Sequence, residues 1–269
     1  MAIANYKGVK VLSNQIKDVE DALTVEEALV IHINGKQYLV TMRTPGDEVE
    51  LIRGLLFSED IFRSKEAQLQ TEVIKRSPLG HISEMNVTIG PDLMGKGYKS
   101  GQSLLSVSSC GICGKPELPE ITGANKISSQ QLQLKSEDMN QMFDLMRESQ
   151  LQFEQSGGIH AAALFDQDKK LLAVKEDIGR HNAVDKVIGT LLLQQNLKAA
   201  KYILVSGRIS YEILTKTFAA GIPVIAAVSA PSSLAVDYAK ELGITLLGFC
   251  RQDKFTVYSN VDRIIDLNP

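Results

Sequence analysis

The stretch that decides the fold is residues 202–228, which read YILVSGRISYEILTKTFAAGIPVIAAV. Short apolar runs at 202–205 and 224–228 are typical of buried β-strands. Between them, residues from about 209 to 220 have the length and apolar spacing of a helix. A strand, a helix and a second strand in this order predict a crossover connection between two parallel strands.

The same alternation of strands and helices extends in both directions from this stretch. Further strands are predicted at 161–165, 171–174, 244–247 and about 255–258, and further helices at about 181–193 and 232–242. A helix capped by Ser136 is predicted before them, with an apolar stripe of Met139, Met142, Phe143 and Met146. We therefore expect an α/β fold with a largely parallel sheet covered on both faces.

The amino-terminal third has a different character. Residues 28–42 are predicted to form a hairpin, because Asn34-Gly35 supplies the positive φ angles of a tight turn. A helix should follow Asp47, since its apolar residues recur at helical spacing. From about 93 to 118 the chain is rich in glycine and serine, and we expect an exposed, mobile connection there. The predicted units are an α+β subdomain at 1–100, a loop at 101–125 and an α/β domain at 126–269.

Composition narrows the class of function. The 269 residues have a net charge of -3, a pI of about 5.9 and 44% hydrophobic residues, which is ordinary for a globular protein. There is no global basic field to attract nucleic acid. Neither a signal peptide nor an apolar run of membrane-spanning length is visible, so we expect a cytoplasmic protein with no membrane association.

Polar groups follow several predicted strands, where ligands gather in open α/β sheets. The segments are 176–182, 206–208, 229–233 and 248–251. Arg180 and Arg208, with His181 and the Ser206-Gly207 turn, suit a phosphate or pyrophosphate, because arginine pairs bidentately with such oxygens. The alternative is that these residues are caps and turn residues, which any α/β protein needs.

The sequence Cys110-Gly111-Ile112-Cys113 has three interpretations. A structural zinc site is disfavoured because no second Cys-x-x-Cys and no suitably spaced histidine pair supply further ligands. A redox dithiol is disfavoured because the flanks are rich in serine and glycine rather than being a strand and a helix. The third is a nucleophilic thiolate on a loop. Cys250 follows an apolar strand and is predicted to be a core residue, while His160 is interpreted as packed or hydrogen-bonded.

Several stretches together resemble the FdhD sulfur carriers, a family of accessory proteins for formate dehydrogenase maturation. The matching stretches are SSCGICG (108–114), GGIHAA (157–162), EDIGRHNAVDK (176–186), SGR (206–208), AAVSAPSS (226–233) and GFCR (248–251). The resemblance runs from about residue 22 to residue 258. It implies a cytidine-deaminase-like, three-layer α/β/α core with the smaller α+β subdomain at its amino terminus.

The resemblance also implies an activity. Such a sulfurtransferase accepts sulfur from a cysteine desulfurase as a persulfide and passes it to a molybdenum cofactor with two pyranopterin guanine dinucleotides, before insertion into the formate dehydrogenase apoenzyme. Cys110 would then be the persulfide-bearing residue and Cys113 its partner. A homodimer is implied, GDP would be a ligand analogue, and no structural metal is expected. The cofactor-binding stretch would be Phe249, Cys250, Arg251, Gln252, Asp253 and Lys254.

Two other functions were weighed. A non-catalytic chaperone that binds the cofactor and docks on the apoenzyme would share every feature except the reactive thiol. A zinc-dependent nucleoside deaminase is disfavoured, because that chemistry needs a His-x-Glu or Cys-x-Glu motif and a downstream Pro-Cys-x-x-Cys. His160 is followed by two alanines, and no proline precedes Cys110. Fold without a site does not carry function.

Overall fold

The computed structural model describes residues 2–98, 126–127, 132–252 and 254–265. These residues form three β-sheets and six α-helices. The predicted loop at 101–125, with Cys110 and Cys113, lies outside the described residues, as does Asp253. The predicted domain boundaries therefore stay predictions.

The strands and helices are numbered in chain order. The strands are β1 Ile3–Leu12, β2 Gln15–Thr24, β3 Glu27–Ile33, β4 Lys36–Arg43, β5 Gln70–Arg76, β6 Ile82–Thr88, β7 His160–Phe165, β8 Leu171–Asp177, β9 Tyr202–Val205, β10 Val224–Ala227, β11 Thr245–Arg251 and β12 Lys254–Ser259. The helices are α1 Glu48–Ser58, α2 Ser136–Glu148, α3 Leu151–Ser156, α4 Arg180–Leu193, α5 Tyr211–Ala220 and α6 Ser233–Leu242.

The central sheet has six strands in the order β12-β11-β10-β9-β7-β8. β8 to β11 run in one direction, whereas β7 and β12 run against them, so that three of the five pairings are antiparallel. The prediction of a largely parallel sheet was wrong in this respect. Residues 166–170 form a tight turn in which Asp166 Oδ1 accepts hydrogen bonds from the backbone N–H groups of Asp168 and Lys170, both at 2.9 Å. A connection this short makes a hairpin and not a crossover.

Helices cover both faces of this sheet. The connections β8-α4-β9, β9-α5-β10 and β10-α6-β11 all step in the same direction along the sheet, so right-handed crossovers place the three helices on one face. Residues of α4, α5 and α6 share one apolar cluster with alternate strand residues such as Leu164 and Ile203. Met139, Met142 and Met146 of α2 cover the other face with Phe165 and Leu204. The predicted layers are therefore present.

The amino-terminal unit contains more strands than the sequence predicted. The hairpin of β3 and β4 is confirmed, with φ of 50° at Asn34 and 77° at Gly35, and α1 begins directly after Asp47. β5 and β6 complete a four-stranded sheet in the order β4-β3-β6-β5. β1 and β2 were also missed. They form a separate ribbon whose residues are mostly exposed, so no buried face imposes a hydrophobic pattern on them.

A close helix crossing joins the amino-terminal unit to the central sheet. A Cβ atom on Gly54 of α1 would lie 1.9 Å from the carbonyl oxygen of Asp185, and one on Gly189 of α4 would lie 1.9 Å from the carbonyl oxygen of Glu50. No side chain fits at either position, so the backbones of α1 and α4 touch. This contact fixes α1, which packs on the amino-terminal sheet, against the middle of α4.

Two smaller expectations need correction. Residues 93–98 belong to a packed segment, because the N–H of Gly95 donates to the carbonyl of Ile61 at 2.8 Å and that of Gly97 to Asp60 at 2.9 Å. They therefore do not belong to a mobile connection. Ser136 is the first residue of α2 and not its cap; Lys135 is the N-cap residue, and its N–H donates to Asp138 Oδ2 at 3.0 Å.

Candidate functional site

The polar side chains predicted to gather at the sheet edge do so. β8, β9 and β10 end at this edge, and Arg180, Ser206 and the loop after Ala227 follow them. β7 runs the opposite way, so its first residue, His160, lies at the same edge. The sequence analysis gave His160 no role in ligand binding, because the antiparallel direction of β7 was not foreseen.

The stretch EDIGRHN (176–182) contains residues that stabilise the fold and residues that face the candidate site. Asp177 is fully buried, and its carboxylate accepts from the backbone N–H of Thr44 at 3.1 Å and of Gly179 at 2.8 Å. It also accepts from Asn182 Nδ2 at 2.9 Å and Lys186 Nζ at 2.8 Å. Asp177 therefore fastens β4 to the start of α4 and supports the residues between.

Arg180 is the first residue of α4 and is half-buried. Its Nε atom is buried and has no hydrogen-bond partner among the described residues. A Cβ on Gly207 would lie 3.2 Å from His160 Nδ1 and 3.4 Å from Arg180 Cβ, so a side chain there would crowd both residues. Arg208 is exposed beside them. The predicted residues Arg180, Gly207 and Arg208 thus share one location with His160.

The side chain of His181 contacts polar residues at the start of α5. Its Nε2 lies 2.9 Å from Glu212 Oε2 and 3.2 Å from Ser210 Oγ. One turn further along both helices, Lys216 Nζ donates to both carboxylate oxygens of Asp185 at 2.8 Å. Two polar pairs therefore join α4 to α5 beneath the edge. Ser210 and Glu212 were not predicted as part of this region, although Glu212 and Lys216 have the i, i+4 spacing that places two residues on one face of a helix.

The charge around His160 sets its protonation. Burial lowers the pKa of its imidazole below the ordinary 6.5, and the positive charges of Arg180 and Arg208 lower it further, while Asp177 opposes them. His160 is therefore neutral at pH 7 in the free protein. Its Nδ1 lies 3.4 Å from Ser206 Oγ.

Most serine hydroxyls at this edge accept hydrogen bonds from backbone N–H groups. Ser206 Oγ accepts from the N–H of Ala161 at 2.9 Å and so bridges β7 to β9. Ser210 caps α5 by accepting from the N–H of Ile213, and Ser232 caps α6 by accepting from that of Ala235. The N-termini of α5 and α6 are thus already capped by their own serines. The N-cap of α4 is Gly179, which makes no side-chain cap bond.

The stretch 248–251 lies inside β11, not after it as predicted. Phe249 sits in a bulge with φ of 55° and is 49% exposed. Cys250 points the other way, is 5% exposed, and burial raises the pKa of its thiol to about 12. Its side chain is a core residue, so only its backbone could contact a ligand. Arg251, Gln252 and Lys254 are exposed at the β11–β12 turn.

Backbone hydrogen bonds make this edge continuous. The N–H of Ile209 donates to Ala230 at 3.2 Å, and that of Ser232 donates back to Ile209 at 2.9 Å. The N–H of Phe249 donates to Ser229 at 3.2 Å. The loops after β9 and β10 and the bulge of β11 are therefore one surface. It runs from the arginines towards the exposed phenylalanine.

Fold and site together define a class of protein: a three-layer α/β/α protein with cationic side chains at one edge of its central sheet. In the described parts of the chain, no three or more His, Cys, Asp or Glu side chains are grouped to hold a metal ion. Nor does any helix there combine the length and the apolar character that crossing a bilayer requires.

Comparison with known proteins narrows the class. The model of the FdhD/NarQ family matches residues 24–265. A protein from Mycobacterium bovis named Sulfur carrier protein FdhD is 40% identical over 269 residues, covering 96% of this chain and 98% of its own. One of the same name from Saccharolobus solfataricus is 39% identical, covering 97% and 98%. This chain belongs to the FdhD/NarQ family.

The fold has a counterpart among solved structures. The crystal structure of a protein from Desulfotalea psychrophila, assigned to the formate dehydrogenase accessory proteins, superposes with a TM-score of 0.75. The match covers 98% of this chain and all of that one, at 22% sequence identity. The predicted fold class is thereby confirmed.

Proposed function

We propose that this chain is a sulfurtransferase that carries sulfur as a persulfide on Cys110 and delivers it to a molybdenum cofactor during maturation of formate dehydrogenase. The observation that carries the proposal is similarity along almost the whole chain to proteins named sulfur carriers. In the loading step, the Cys110 thiolate attacks the terminal sulfur of a desulfurase persulfide. The new S–S bond forms as the donor's S–S bond breaks, and the donor cysteine leaves as a thiolate.

The cationic edge supports a phosphate-containing cargo. Arg180 and Arg208 supply charge and directed donors, and the buried Nε of Arg180 would gain a partner from a phosphate oxygen. Phe249 offers an exposed aromatic face on the same continuous surface. The backbone of Phe249 has a φ of 55°, which is strained for a residue other than glycine. Such strain is concentrated at functional sites. A cofactor with guanine dinucleotide arms has both phosphates and flat rings to match these groups.

The number of residues between Tyr98 and Cys110 limits how far the Cys110 thiol can move. Cys110 follows Tyr98 by twelve residues, and an extended chain of that length spans roughly 40 Å. Tyr98 packs against Tyr38 of the amino-terminal sheet, with ring centroids 5.7 Å apart. This reach exceeds the width of the central sheet, which is about 24 Å for six strands at their usual spacing. We propose that the segment brings the Cys110 thiol to a donor and to the edge in turn.

The proposed setting follows from the same family relation. We propose a cysteine desulfurase as sulfur donor, the formate dehydrogenase apoenzyme as recipient of the cofactor, and the cytoplasm as the compartment. The chain is proposed to act as a homodimer. A non-catalytic cofactor chaperone is the second candidate, because the arginine edge would serve binding alone equally well.

Loading with sulfur separates the two candidates. After incubation with a cysteine desulfurase and cysteine, the intact protein is expected to gain one sulfur atom, about 32 daltons, by mass spectrometry. Cys250→Ser is the matched control and should gain the same mass, because the Cys250 thiol is buried and its pKa is about 12. A wild-type protein that gains nothing would leave only the chaperone.

The arginine edge is tested by nucleotide affinity. Arg180→Ala is expected to weaken GDP binding by about 1.5 to 3 kcal/mol, since it removes a charge-assisted contact. Arg208→Ala should have the smaller effect of the two, because this side chain is exposed and screened by solvent. Arg76→Ala, an exposed arginine on β5, is the control. Calorimetric titration with GDP gives the values, and unchanged affinity in both edge variants would rule out this assignment.

A further inference from the structure

His160 differs from Arg180 and Arg208 in that it lies on a strand of the central sheet. It begins β7 and is half-buried, so its ring is fixed at the edge by the sheet itself. Its Nδ1 lies 3.4 Å from the Oγ of Ser206, the residue that follows β9. The space that a Cβ of Gly207 would fill is bordered by the His160 ring at 3.2 to 3.3 Å and by Arg180 Cβ at 3.4 Å. A ligand phosphate at Arg180 would therefore lie next to the imidazole.

Among the described residues, the titratable groups that act electrostatically on this ring are Arg180 and His181 of α4, Arg208 after β9 and the carboxylate of Asp177 at the end of β8. Asp177 is already neutralised by Lys186, with Nζ at 2.8 Å. The surroundings of His160 are thus cationic in the free protein, and a proton on its ring is disfavoured.

A bound anion reverses this balance. A diphosphate between Arg180 and Arg208 would neutralise both arginines and bring its own negative charge close to His160. Each change favours the imidazolium form. We propose that His160 takes up one proton from solvent when a nucleoside diphosphate binds, and becomes the third cation on the phosphates. This inference deepens the proposed function and rests on it, since it needs phosphate at the arginine edge.

The proposal fixes the sign of a pH dependence. Binding that takes up a proton weakens as the pH rises, by at most about tenfold per pH unit for one proton. The effect should be largest between the pKa of His160 in the free protein, which lies below 6.5, and its higher pKa in the complex. Below both pKa values, His160 is protonated in either state and the slope vanishes.

The experiment is calorimetric titration of the full chain with GDP in two buffers of different ionisation enthalpy, between about pH 6 and pH 8. The difference between buffers gives the number of protons taken up. Wild-type protein is expected to take up close to one proton more than His160→Asn, which keeps a polar group near the Nδ1 position but cannot titrate. GDP titrates near pH 6 through its own terminal phosphate, so the difference between proteins is the measured quantity. His32→Asn on β3 is the control and should behave as wild type.

The outcomes separate this inference from the proposed function. No GDP binding by wild-type protein would contradict the phosphate edge itself. Binding with equal proton uptake in wild type and His160→Asn would overturn the role of His160 alone. Should His160→Asn not fold, the ring is followed directly by NMR in the wild type. A pKa of His160 that does not rise on adding GDP would then overturn the inference.

Discussion

The Cys110→Ala variant is expected to lose activation of formate dehydrogenase completely and to bind GDP as tightly as wild type. Its thiolate is the proposed carrier, and the one thiol among the described residues cannot replace it, because Cys250 is buried with a pKa of about 12. The GDP contacts come from a different part of the chain, the edge formed by Arg180 and Arg208. Formate dehydrogenase activity after reconstitution measures delivery, and calorimetry measures affinity.

Two further cysteine variants make this result specific. Cys113→Ala shows whether the second thiol of the pair is needed for loading or for release. Cys250→Ser shares the chemical change but lies in the core, so it should keep delivery. If GDP affinity in Cys110→Ala fell as far as delivery did, the carrier thiol and the binding edge would not be separate elements, and the relay would be wrong.

The Asp177→Ala variant is expected to lose about 3 to 5 kcal/mol of unfolding free energy, because it leaves the buried ammonium of Lys186 without its carboxylate. Asp177 is 0% exposed and Lys186 is 1% exposed, so solvent cannot replace the lost partner. The N–H of Thr44 and the amide of Asn182 would also lose their acceptor. Urea unfolding monitored by circular dichroism gives the difference.

The neighbouring Arg180→Ala is the matched control, three residues further along the same motif. It is expected to change unfolding free energy by less than about 0.5 kcal/mol while it weakens GDP binding. Where Asp177→Ala is too unstable to purify, Asp177→Asn retains the shape and gives a smaller loss. An unchanged urea midpoint in both Asp177 variants would show that this network does not hold the start of α4.

The helices and the central strands could be predicted because their patterns are local. Residues 209–220 have one apolar stripe, and α5 covers Tyr211–Ala220. The Asn34-Gly35 turn was equally plain, since only residues that accept positive φ suit it. The predictions failed on the direction of the strands and on which strands pair with each other. The five-residue turn between β7 and β8 could have indicated a hairpin, and overlooking it hid the position of His160.

The positions of the candidate residues in the fold were predicted more accurately than their contacts. Arg180, His181, Gly207 and Arg208 do come together, because parallel strands end at one edge. The sequence could not show that Ser206, Ser210 and Ser232 accept hydrogen bonds from backbone N–H groups. A serine that caps a helix and a serine that binds a ligand occur in the same local sequence. The burial of Cys250 was predicted correctly, but the sequence could not show the bulge at Phe249, because a bulge depends on the pairing with β12.

The crossing of α1 and α4 at Gly54 and Gly189 has a mechanical consequence. Helices held apart by long side chains can shear by repacking rotamers, but these two meet backbone to backbone and have no such layer to adjust. The amino-terminal sheet is therefore held rigidly against α4. If the proposed cargo with two dinucleotide arms needs a wider edge, we expect the movement within the described residues to come from the turns that follow the strands.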